Sequence, residues 1–552
     1  MRAFDAGNPK NARNAINAIN AISASNAINS ITKVLIVVFL AFPAFLASSC
    51  WGASSVNVPL DSWAYEALES LEAYGLIDSA LAGTRPYARL EVARLVGEAI
   101  KKWEDLVSRK KPSGFGEEEL IPSLLERFKR EFKVELIDLG FMEGSRASTF
   151  LKPVDEVILK YVYQTDNPVV RPQSGNPPTH TIYPIYNNDG IVYRKNNNFS
   201  TELQGEGRLW NHFSLYYQPI FKAFEGEGAT VELEKGYLKA EAVNVELEVG
   251  RDSLWWGPGR NGALLMTNNA RPFDLIKLSS PQPFHLPLLG LFKFNLFLSK
   301  LDNEQPSIPH PLLYGLHLDF KPHPIFEFGL SQIAIFGGEG RTDLSIGDYF
   351  RILYSNRNLT GKLESNQQVS VDFSLRWPNM GKYLPIARSL KFYGEWGAED
   401  TGVPPDRRAY LLGLFLNDLF LTGRMDLRLE YTNTAPASVS SAWYTHGDYP
   451  PTYHERLFGH DVGSNGEDIF VRLNSYFSKK LSLGIDFDAQ THGFWDALKT
   501  YSYRGGVDMD YWIRDRVNIK GRYVVESFQD ANSIAGGDKI HHIFGLEFRW
   551  RF

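Results

Sequence analysis

One stretch of the sequence, residues 250–272, concentrates side chains that are suited to binding sugars. It reads GRDSLWWGPGRNGALLMTNNARP. The adjacent rings of Trp255 and Trp256 can stack on the apolar faces of sugar rings, while Arg and Asn side chains can donate hydrogen bonds to hydroxyl or acidic groups. The candidate polysaccharide-binding residues are therefore Arg251, Trp255, Trp256, Arg260, Asn261, Asn268, Asn269 and Arg271.

The same stretch also has a structural interpretation, which we favour for most of it. Successive residues of a strand point to opposite faces, so one of two adjacent Trp residues must face lipid or the barrel wall. The Arg and Asn residues could equally fold a loop that constricts an internal channel. Residues 257–262 formally match the GxGxxG pattern of nucleotide-binding sites, but no strand–helix–strand unit surrounds them. A tight turn at the end of a strand explains these glycines better.

Residue pairs that could form a catalytic centre or a metal site lack the required spacing. His454 and Glu455 match the start of a zinc-protease motif, but Phe458 stands where the second His is needed. His541 and His542 are adjacent, so a strand would point them to opposite faces and they could not chelate one ion. The sequence has no G-x-S-x-G nucleophile motif. We therefore predict no catalytic residues, no metal ligands and no cofactor.

The secondary structure that must position these side chains is indicated by the spacing of apolar residues, which changes near residue 150. Before it, apolar residues recur at helical spacing, and after it they alternate with polar residues as in strands. The last strand shows this alternation most clearly, since every second residue is apolar: Phe544, Leu546, Phe548, Trp550 and Phe552. Such an ending resembles the recognition signal of outer-membrane barrels.

Counting runs of suitable length gives about eighteen strands. In water, a sheet of this size must cover its apolar face with a second layer, and residues 150–552 contain few helical segments that could form one. Lipid can cover that face instead, provided that the sheet closes and leaves no unpaired edge. The prediction is an all-β, transmembrane, antiparallel barrel over 150–552. Short links such as 478–481 are expected on the periplasmic side, and long polar stretches such as 164–198, 337–366 and 435–466 are expected outside the cell.

A small α-helical periplasmic module is predicted over residues 56–145. Apolar spacing indicates helices from Trp63 to Tyr74, after Arg89, and over about 117–139. Residues 56–105 resemble a single S-layer-homology repeat, on the segments VPLDSWA at 58–64, GLI at 75–77 and RPYARLE at 85–91. Two interpretations stay open, namely a hairpin that caps or plugs the barrel, and a contact with peptidoglycan or another wall polymer.

Residues 1–53 are predicted to be an export signal with a low-complexity extension. The apolar stretch 34–47 follows Lys33, is too short to span a bilayer as a helix, and fits the core of a signal peptide. Cleavage near 49–53 is the simplest expectation, with lipidation of Cys50 as the alternative. Cys50 is the sole cysteine, so cleavage beyond it would exclude disulfides and Cys-based metal sites from the mature chain.

The composition narrows the class of protein further. A net charge of -6 gives no reason to expect nucleic acid as a partner. A mean hydropathy of -0.25 excludes a bundle of membrane helices. The aromatic content of 13% suits rings placed at two membrane–water boundaries.

Residues 250–272 strongly resemble the signature of the Wzi-type capsule assembly family. The segment GYLK at 236–239 and the predicted helix around 124–136 also fit, so that the resemblance covers most of residues 57–552. It implies an outer-membrane barrel of a Gram-negative bacterium with a helical periplasmic part. It also implies a lectin-like role in which the barrel, surrounded by outer-membrane lipid, binds capsular or extracellular polysaccharide.

The resulting hypothesis is a non-enzymatic barrel that acts in capsule or exopolysaccharide assembly or in surface attachment. The first alternative is an outer-membrane porin for small solutes that residues 56–105 anchor to peptidoglycan. The second alternative is an outer-membrane hydrolase whose site lies near the loops.

Overall fold

A computed structural model describes residues 53–172, 179–302, 308–355, 357–399, 407–438, 443–531 and 534–552. The predicted signal core 34–47 and Cys50 lie outside the described residues.

Eighteen antiparallel strands form a closed barrel, in which the first strand pairs with the last. The predicted barrel of about eighteen strands is therefore confirmed, and one further short strand, Phe284–Leu286, pairs along its wall. The eighteen strands are β1 Phe150–Gln164, β2 Asn196–Leu209, β3 Phe213–Phe224, β4 Ala229–Ala242, β5 Val245–Asp252, β6 Phe273–Ser279, β7 Gly290–Lys300, β8 Leu312–His323, β9 Phe326–Phe336, β10 Ser365–Trp377, β11 Ala387–Glu399, β12 Arg407–Leu419, β13 Met425–Asn433, β14 Gly466–Ser478, β15 Leu481–His492, β16 Thr500–Arg514, β17 Val517–Gln529 and β18 Lys539–Arg551.

The wall of the barrel is apolar outside and charged inside, the inverse of a soluble protein. In β5, Leu247 and Val249 are 42% and 47% exposed on the outer face, whereas Glu246 and Glu248, which alternate with them, are buried in the lumen. This alternation suits an outer face covered by lipid, and closure leaves no edge with unpaired backbone groups. No helix in the described part of the chain is long and apolar enough to cross a membrane.

The two ends of the barrel differ in the length of their connections. At one end, six of the eight connections between strands are turns of two to five residues, as between β14 and β15, while most connections at the other end are longer loops, such as the one from β13 to β14. In barrels of this class the short turns face the periplasm and the long loops face outward. The chain is thereby oriented with its long loops outside the cell.

The helical module lies against and inside the end with short turns. It consists of α1 Ala64–Ala73, α2 Arg89–Arg109, α3 Ile121–Glu131 and α4 Lys133–Asp138. A core of buried Leu, Ile, Val and aromatic side chains holds α1 to α4 together. The single helix predicted over about 117–139 is instead a π-helical turn, Gly116–Leu120, followed by α3 and α4. The chain leaves helical geometry at Phe132, and the change of direction lets Glu135 form an ion pair with Arg89 at 2.8 Å.

The N-terminal part of the module enters the lumen. The amide of Asn57 donates to Glu248 and Asp252 of β5, at 3.0 and 2.8 Å. On the other side of the lumen, Glu69 of α1 lies 2.7 Å from Arg428 of β13. These contacts reach strands on distant parts of the wall, so the module occupies the lumen at its periplasmic end.

One helix, α5 Ile346–Tyr354, lies outside the barrel near its outer rim. Leu313 of β8 points into the lumen, so Tyr314 next to it points outward, and α5 covers Tyr314 and Phe336 with Ile352. The opposite face of α5 exposes Ile346, Phe350 and Tyr354. This helix therefore extends the apolar outer surface rather than the lumen.

Candidate functional site

Residues 253–272, termed the inward loop, leave the wall between β5 and β6 and turn into the lumen. There Trp255 and Trp256 form a two-residue antiparallel strand with Thr84 and Arg85 of the helical module. The backbone N–H of Gly257 donates to the carbonyl of Gly83 at 2.7 Å. The inward loop and the helical module therefore meet inside the barrel and share a small sheet.

Beyond this sheet, the inward loop reaches the far wall. Glu430 of β13 accepts hydrogen bonds from the backbone N–H groups of Arg260 and Asn261 at 2.8 and 2.9 Å. Glu395 of β11 accepts one from Leu264 N–H at 2.8 Å. Because β13 is eight strands away from β5, the loop crosses most of the lumen, and wall carboxylates satisfy backbone donors that are buried there.

Both Trp rings are enclosed by protein. Trp255 is 4% exposed and lies under the guanidinium of Arg85, 5.3 Å from the ring centroid. Trp256 is 1% exposed and packs on Phe297 and His317, with centroids 5.5 and 5.4 Å apart. In this conformation neither ring offers a face to a sugar, and both hold the inward loop in place.

The path of the inward loop requires glycine at two positions. Gly257 has φ +110°, a conformation that side-chain-bearing residues rarely adopt. At Gly262, a Cβ atom would lie 2.1 Å from the ring of His460. The glycines of the formal GxGxxG pattern thus permit a turn and a close approach, and no helix N-terminus follows them to bind a phosphate.

Arg260 joins the inward loop electrostatically to the helical module. Its guanidinium lies 3.3 Å from Glu69, which also contacts Arg428 and Lys391 of the wall at 2.7 and 3.5 Å. Burial alone would raise the pKa of Glu69, but the three cations Arg428, Arg260 and Lys391 hold it well below its usual range. Glu69 is therefore ionised at neutral pH and lies at the junction of module, loop and wall.

The other predicted site residues lie apart from one another. Arg251 is on the outer face of the rim, paired with Asp274 at 2.8 Å. Arg271 lies near the outer mouth and contacts Glu232 at 2.6 Å. Asn268 and Asn269 are buried beneath neighbouring outer loops. The sequence placed these residues on one segment, and the fold distributes them between the outer wall, the mouth and the interior.

Arg456 was not among the predicted site residues, yet it connects three loops by hydrogen bonds. It is buried, and its guanidinium donates to the carbonyls of Ile185 and Ile191 at 3.2 and 2.8 Å and to the side chain of Asn269 at 3.3 Å. Burial lowers the pKa of Arg456 to about 10, so it remains charged at neutral pH. No sequence motif contains Arg456, so its position in a long loop did not indicate this role.

A cavity of about 530 Å³ lies between the inward loop, the module and the wall. Arg260, Asn261 and Asn268 line it from the inward loop, and Tyr186 lines it from the loop after β1. The wall adds Arg, Lys, Asp and Glu side chains, namely Lys160, Arg472, Asp486, Arg504, Asp508, Lys520, Arg522, Glu547 and Arg549. This volume and this density of donors and acceptors suit a hydroxylated or acidic ligand of a few rings.

One arrangement inside the lumen has the composition of a hydrolytic triad. The ring of His317 lies 2.6 Å from the hydroxyl of Ser331 and 2.9 Å from the carboxylate of Asp319. All three residues are buried, Trp256 stacks on the His317 ring, and Thr84 caps Asp319. A nucleophile needs access to its substrate, and this group has none, so we interpret it as a structural link between wall, module and inward loop.

Comparison with known proteins gives concordant results. The model of the family "Capsule assembly protein Wzi" matches residues 177–542, more than half of the chain. An uncharacterized 55.8 kDa protein in the cps region of Klebsiella pneumoniae is 26% identical over 235 residues, which are 41% of this chain and 44% of that protein. The chain is thus matched to less than half the length of this curated relative.

Among solved structures, Wzi of Escherichia coli has the same fold. It is described as an outer-membrane protein involved in group 1 capsule assembly and as a carbohydrate-binding β-barrel. It superposes with a TM-score of 0.64 at 16% identity, over 90% of this chain and 99% of that one. The barrel with its lipid-facing wall, the inward loop and the family match agree, and the chain belongs to the Wzi capsule assembly family of outer-membrane β-barrels.

Proposed function

We propose that this protein binds capsular or extracellular polysaccharide at the outer membrane and holds it during capsule assembly or surface attachment, without catalysing a reaction. The observation that carries the proposal is the family match, because it spans both the inward loop and most of the barrel. The carbohydrate binding described for the Escherichia coli structure supports it. A lumen occupied by the helical module and the inward loop supports binding rather than free diffusion of solutes.

Within the barrel, we place the sugar-binding residues at the cavity of about 530 Å³. Arg260, Asn261 and Asn268 would contact hydroxyl or carboxylate groups there, since charged and amide donors match both. Arg271, whose side chain is 30% exposed near the mouth, would contact the polymer as it enters. Trp255 and Trp256 would support these residues from behind instead of stacking on sugar.

Two further partners are part of the proposal. The exposed face of α5, with Phe350 at 54%, and the outer wall would contact outer-membrane lipid. A contact between residues 56–105 and a wall polymer stays a prediction. It would have to use the exposed surface of α2, because Arg85, Tyr87 and Arg89 of the repeat-like segment are buried.

The proposal is tested by measuring how much capsular polysaccharide stays on the cell and how much enters the medium. A host strain that lacks the chain would be complemented with wild type, with an Arg260→Ala/Asn268→Ala variant, or with Arg251→Ala. Arg251 is the matched control, because it is an Arg of the same segment that lies on the outer wall and not at the cavity.

We expect the deletion and the cavity variant to release polymer, and wild type and Arg251→Ala to retain it. Each variant must keep the heat-modifiable mobility of a folded barrel in gel electrophoresis. Retention by the deletion strain at the wild-type level would refute the proposed function. Retention by the folded cavity variant would refute the placement of the site.

A further inference from the structure

The charged residues that line the cavity are nearly balanced, with a small excess of carboxylates. Seven of them are Lys or Arg, and nine are Asp or Glu. A proton on one of the carboxylates would still leave no positive excess. Such a lining does not concentrate anionic ligands, because its summed field does not attract them.

Two of the seven cations form a cluster with two aspartates on the neighbouring strands β14 to β17. Arg472 lies 3.2 Å from Asp486 and 2.8 Å from Asp508. Arg522 lies 3.0 Å from Asp486 and 3.3 Å from Asp508. Each guanidinium therefore contacts both carboxylates, and the cluster as a whole carries no net charge.

Most of the other cations at the cavity are also paired. Three of them form ion pairs with neighbouring carboxylates, namely Lys160, Arg504 and Arg549. Arg260 is paired with a carboxylate of the helical module. Lys520 lines the cavity and forms no ion pair with the described part of the chain. A ligand with several acidic groups would therefore find one unpaired cation among nine carboxylates.

The cavity also has hydrogen-bond acceptors that lack a donor. Glu234 of β4 is buried and lines the cavity, and neither of its carboxylate oxygens has a donor among the described residues. The side-chain oxygen of Asn187, in the loop after β1, accepts no hydrogen bond from the described ranges either. A hydroxyl group can donate to such acceptors, whereas a ligand carboxylate has no proton to donate and is repelled by Glu234.

We propose that the cavity binds an uncharged, hydroxyl-rich segment of the polymer, formed by neutral sugar residues, and excludes acidic groups. A hydroxyl both donates and accepts, so it can bond to the free lone pairs and N–H groups of ion pairs without separating them. An acidic group would have to displace a wall carboxylate from its arginine, and like charges would oppose its approach. The inference rests on the proposed function, since it names the part of the bound polymer that the cavity takes.

The experiment compares the native polysaccharide of the host with the same polymer after its carboxylates have been chemically reduced to alcohols. Binding of each to the folded, detergent-purified mature protein is measured at about 0.1 M and about 1 M NaCl, which shortens the screening length from about 10 Å to about 3 Å. We expect the reduced polymer to bind as tightly as the native one, and salt to change either affinity by less than about threefold. The salt series also tests a polymer whose charge is on phosphate or sulfate.

A charge variant tests whether ion pairing is what excludes acidic groups. Asp486→Asn/Asp508→Asn leaves both arginines of the cluster without their carboxylates. We expect it to gain salt-sensitive binding of polygalacturonate, a uronic acid polymer that wild type should not bind. The matched control is Asp274→Asn, which frees Arg251 on the outer wall instead and should not gain this binding. Heat-modifiable mobility shows that each variant is folded, and the wild-type measurements decide the proposal even if the double variant does not fold.

Loss of binding on carboxyl reduction, or a fall in affinity of more than about threefold at high salt, would overturn the inference. So would polygalacturonate binding by wild type, or a folded double variant that gains none. If folded wild type binds neither form of the host polymer at either salt concentration, the proposed function itself fails, and this inference with it. The failure of the proposed function can therefore be told apart from the failure of the inference alone.

Discussion

At the scale of single residues, the two tryptophans of the inward loop illustrate how a surface-binding motif differs from a structural one. Both are rings with the chemistry to stack on sugars, yet the fold places them in the interior, against Arg85, Phe297 and His317. Their polar neighbours in the segment, and not the two rings, line the cavity. The proposed ligand contacts of the segment are therefore Arg260, Asn261 and Asn268, while the aromatic pair holds the inward loop that carries them.

Replacing Trp256 by Ala should destabilise the folded barrel strongly. The ring is 1% exposed, and its removal leaves a cavity between the module and the wall. Deleting a buried aromatic side chain costs about 3–5 kcal/mol. The temperature at which the folded band of the purified protein converts to the unfolded band should fall accordingly.

Trp210→Ala is the control for this substitution. Trp210 is 67% exposed in the turn between β2 and β3, and a surface substitution of this kind changes stability by about 0.5 kcal/mol or less. Equal transition temperatures for the two variants would show that Trp256 does not support the inward loop.

The alternation of side chains along the chain explains why some residue roles were predictable and others were not. A period of two indicates which side of the wall each strand residue faces, as with Glu430 opposite its apolar neighbours. It does not indicate that Glu430 accepts hydrogen bonds from backbone N–H groups of the inward loop, which leaves the wall eight strands away. The roles of Glu430, Glu395 and Arg456 come from long-range contacts, and no local pattern marks them.

At the scale of elements, the helical module and the inward loop depend on each other, and Glu69 of α1 is the electrostatic link. Glu69→Gln would leave Arg428, Arg260 and Lys391 without their shared carboxylate. Breaking a buried ion pair costs about 3–5 kcal/mol, so the module should dock less firmly. Ion conductance in planar bilayers should rise above the low value expected for wild type.

Glu66→Gln is the matched control, because Glu66 is one turn earlier in α1 and exposed. Its conductance should equal that of wild type. The pKa of Glu69 is held below its usual range, so its stabilising charge is present above the unfolded value of about 4.3 and is lost only as the pH falls through the lower folded value. Wild type should therefore stay closed at pH 5, and a marked opening at that pH would contradict this assignment.

A charged substitution on the outer face of β18 tests whether this face of the wall contacts lipid. Leu546 is 44% exposed near the middle of this 13-residue strand. Leu546→Arg would place a charge in lipid, at a cost of about 2–4 kcal/mol near the bilayer centre. The fraction of protein that folds into lipid vesicles should fall.

Leu288→Arg should have no such effect, because Leu288 is fully exposed in the turn before β7. If both variants fold to the same extent as wild type, the face that carries Leu546 does not contact lipid.

Most strands of the barrel could be predicted because each is a local pattern. The alternation of β18 is visible in twelve residues, and eighteen such runs with lipid as the second layer leave few other folds. The third helix of the module was predicted as continuous, because the apolar stripe continues through Phe132 where the backbone turns. The path of residues 253–272 across the lumen was not predictable beyond the idea of a constricting loop, since its partners are on distant strands.

At the scale of the whole molecule, a wall that faces lipid surrounds a lumen filled from both ends. The helical module enters from the periplasmic side and the inward loop from the outer side, and they meet in a two-stranded sheet. Between them lies a charged cavity that is bordered by outer loops. This architecture suits a protein that holds a polymer at the cell surface better than one that passes solutes.

The most direct test of this account is equilibrium binding of the folded, detergent-purified protein to polysaccharide from its own host, beside an unrelated glycan. We predict selective and saturable binding of the host polymer, with the polymer's chain length unchanged after incubation. A folded barrel that binds neither polymer, or both equally, would contradict the central claim. Shortening of the polymer would show an enzyme instead.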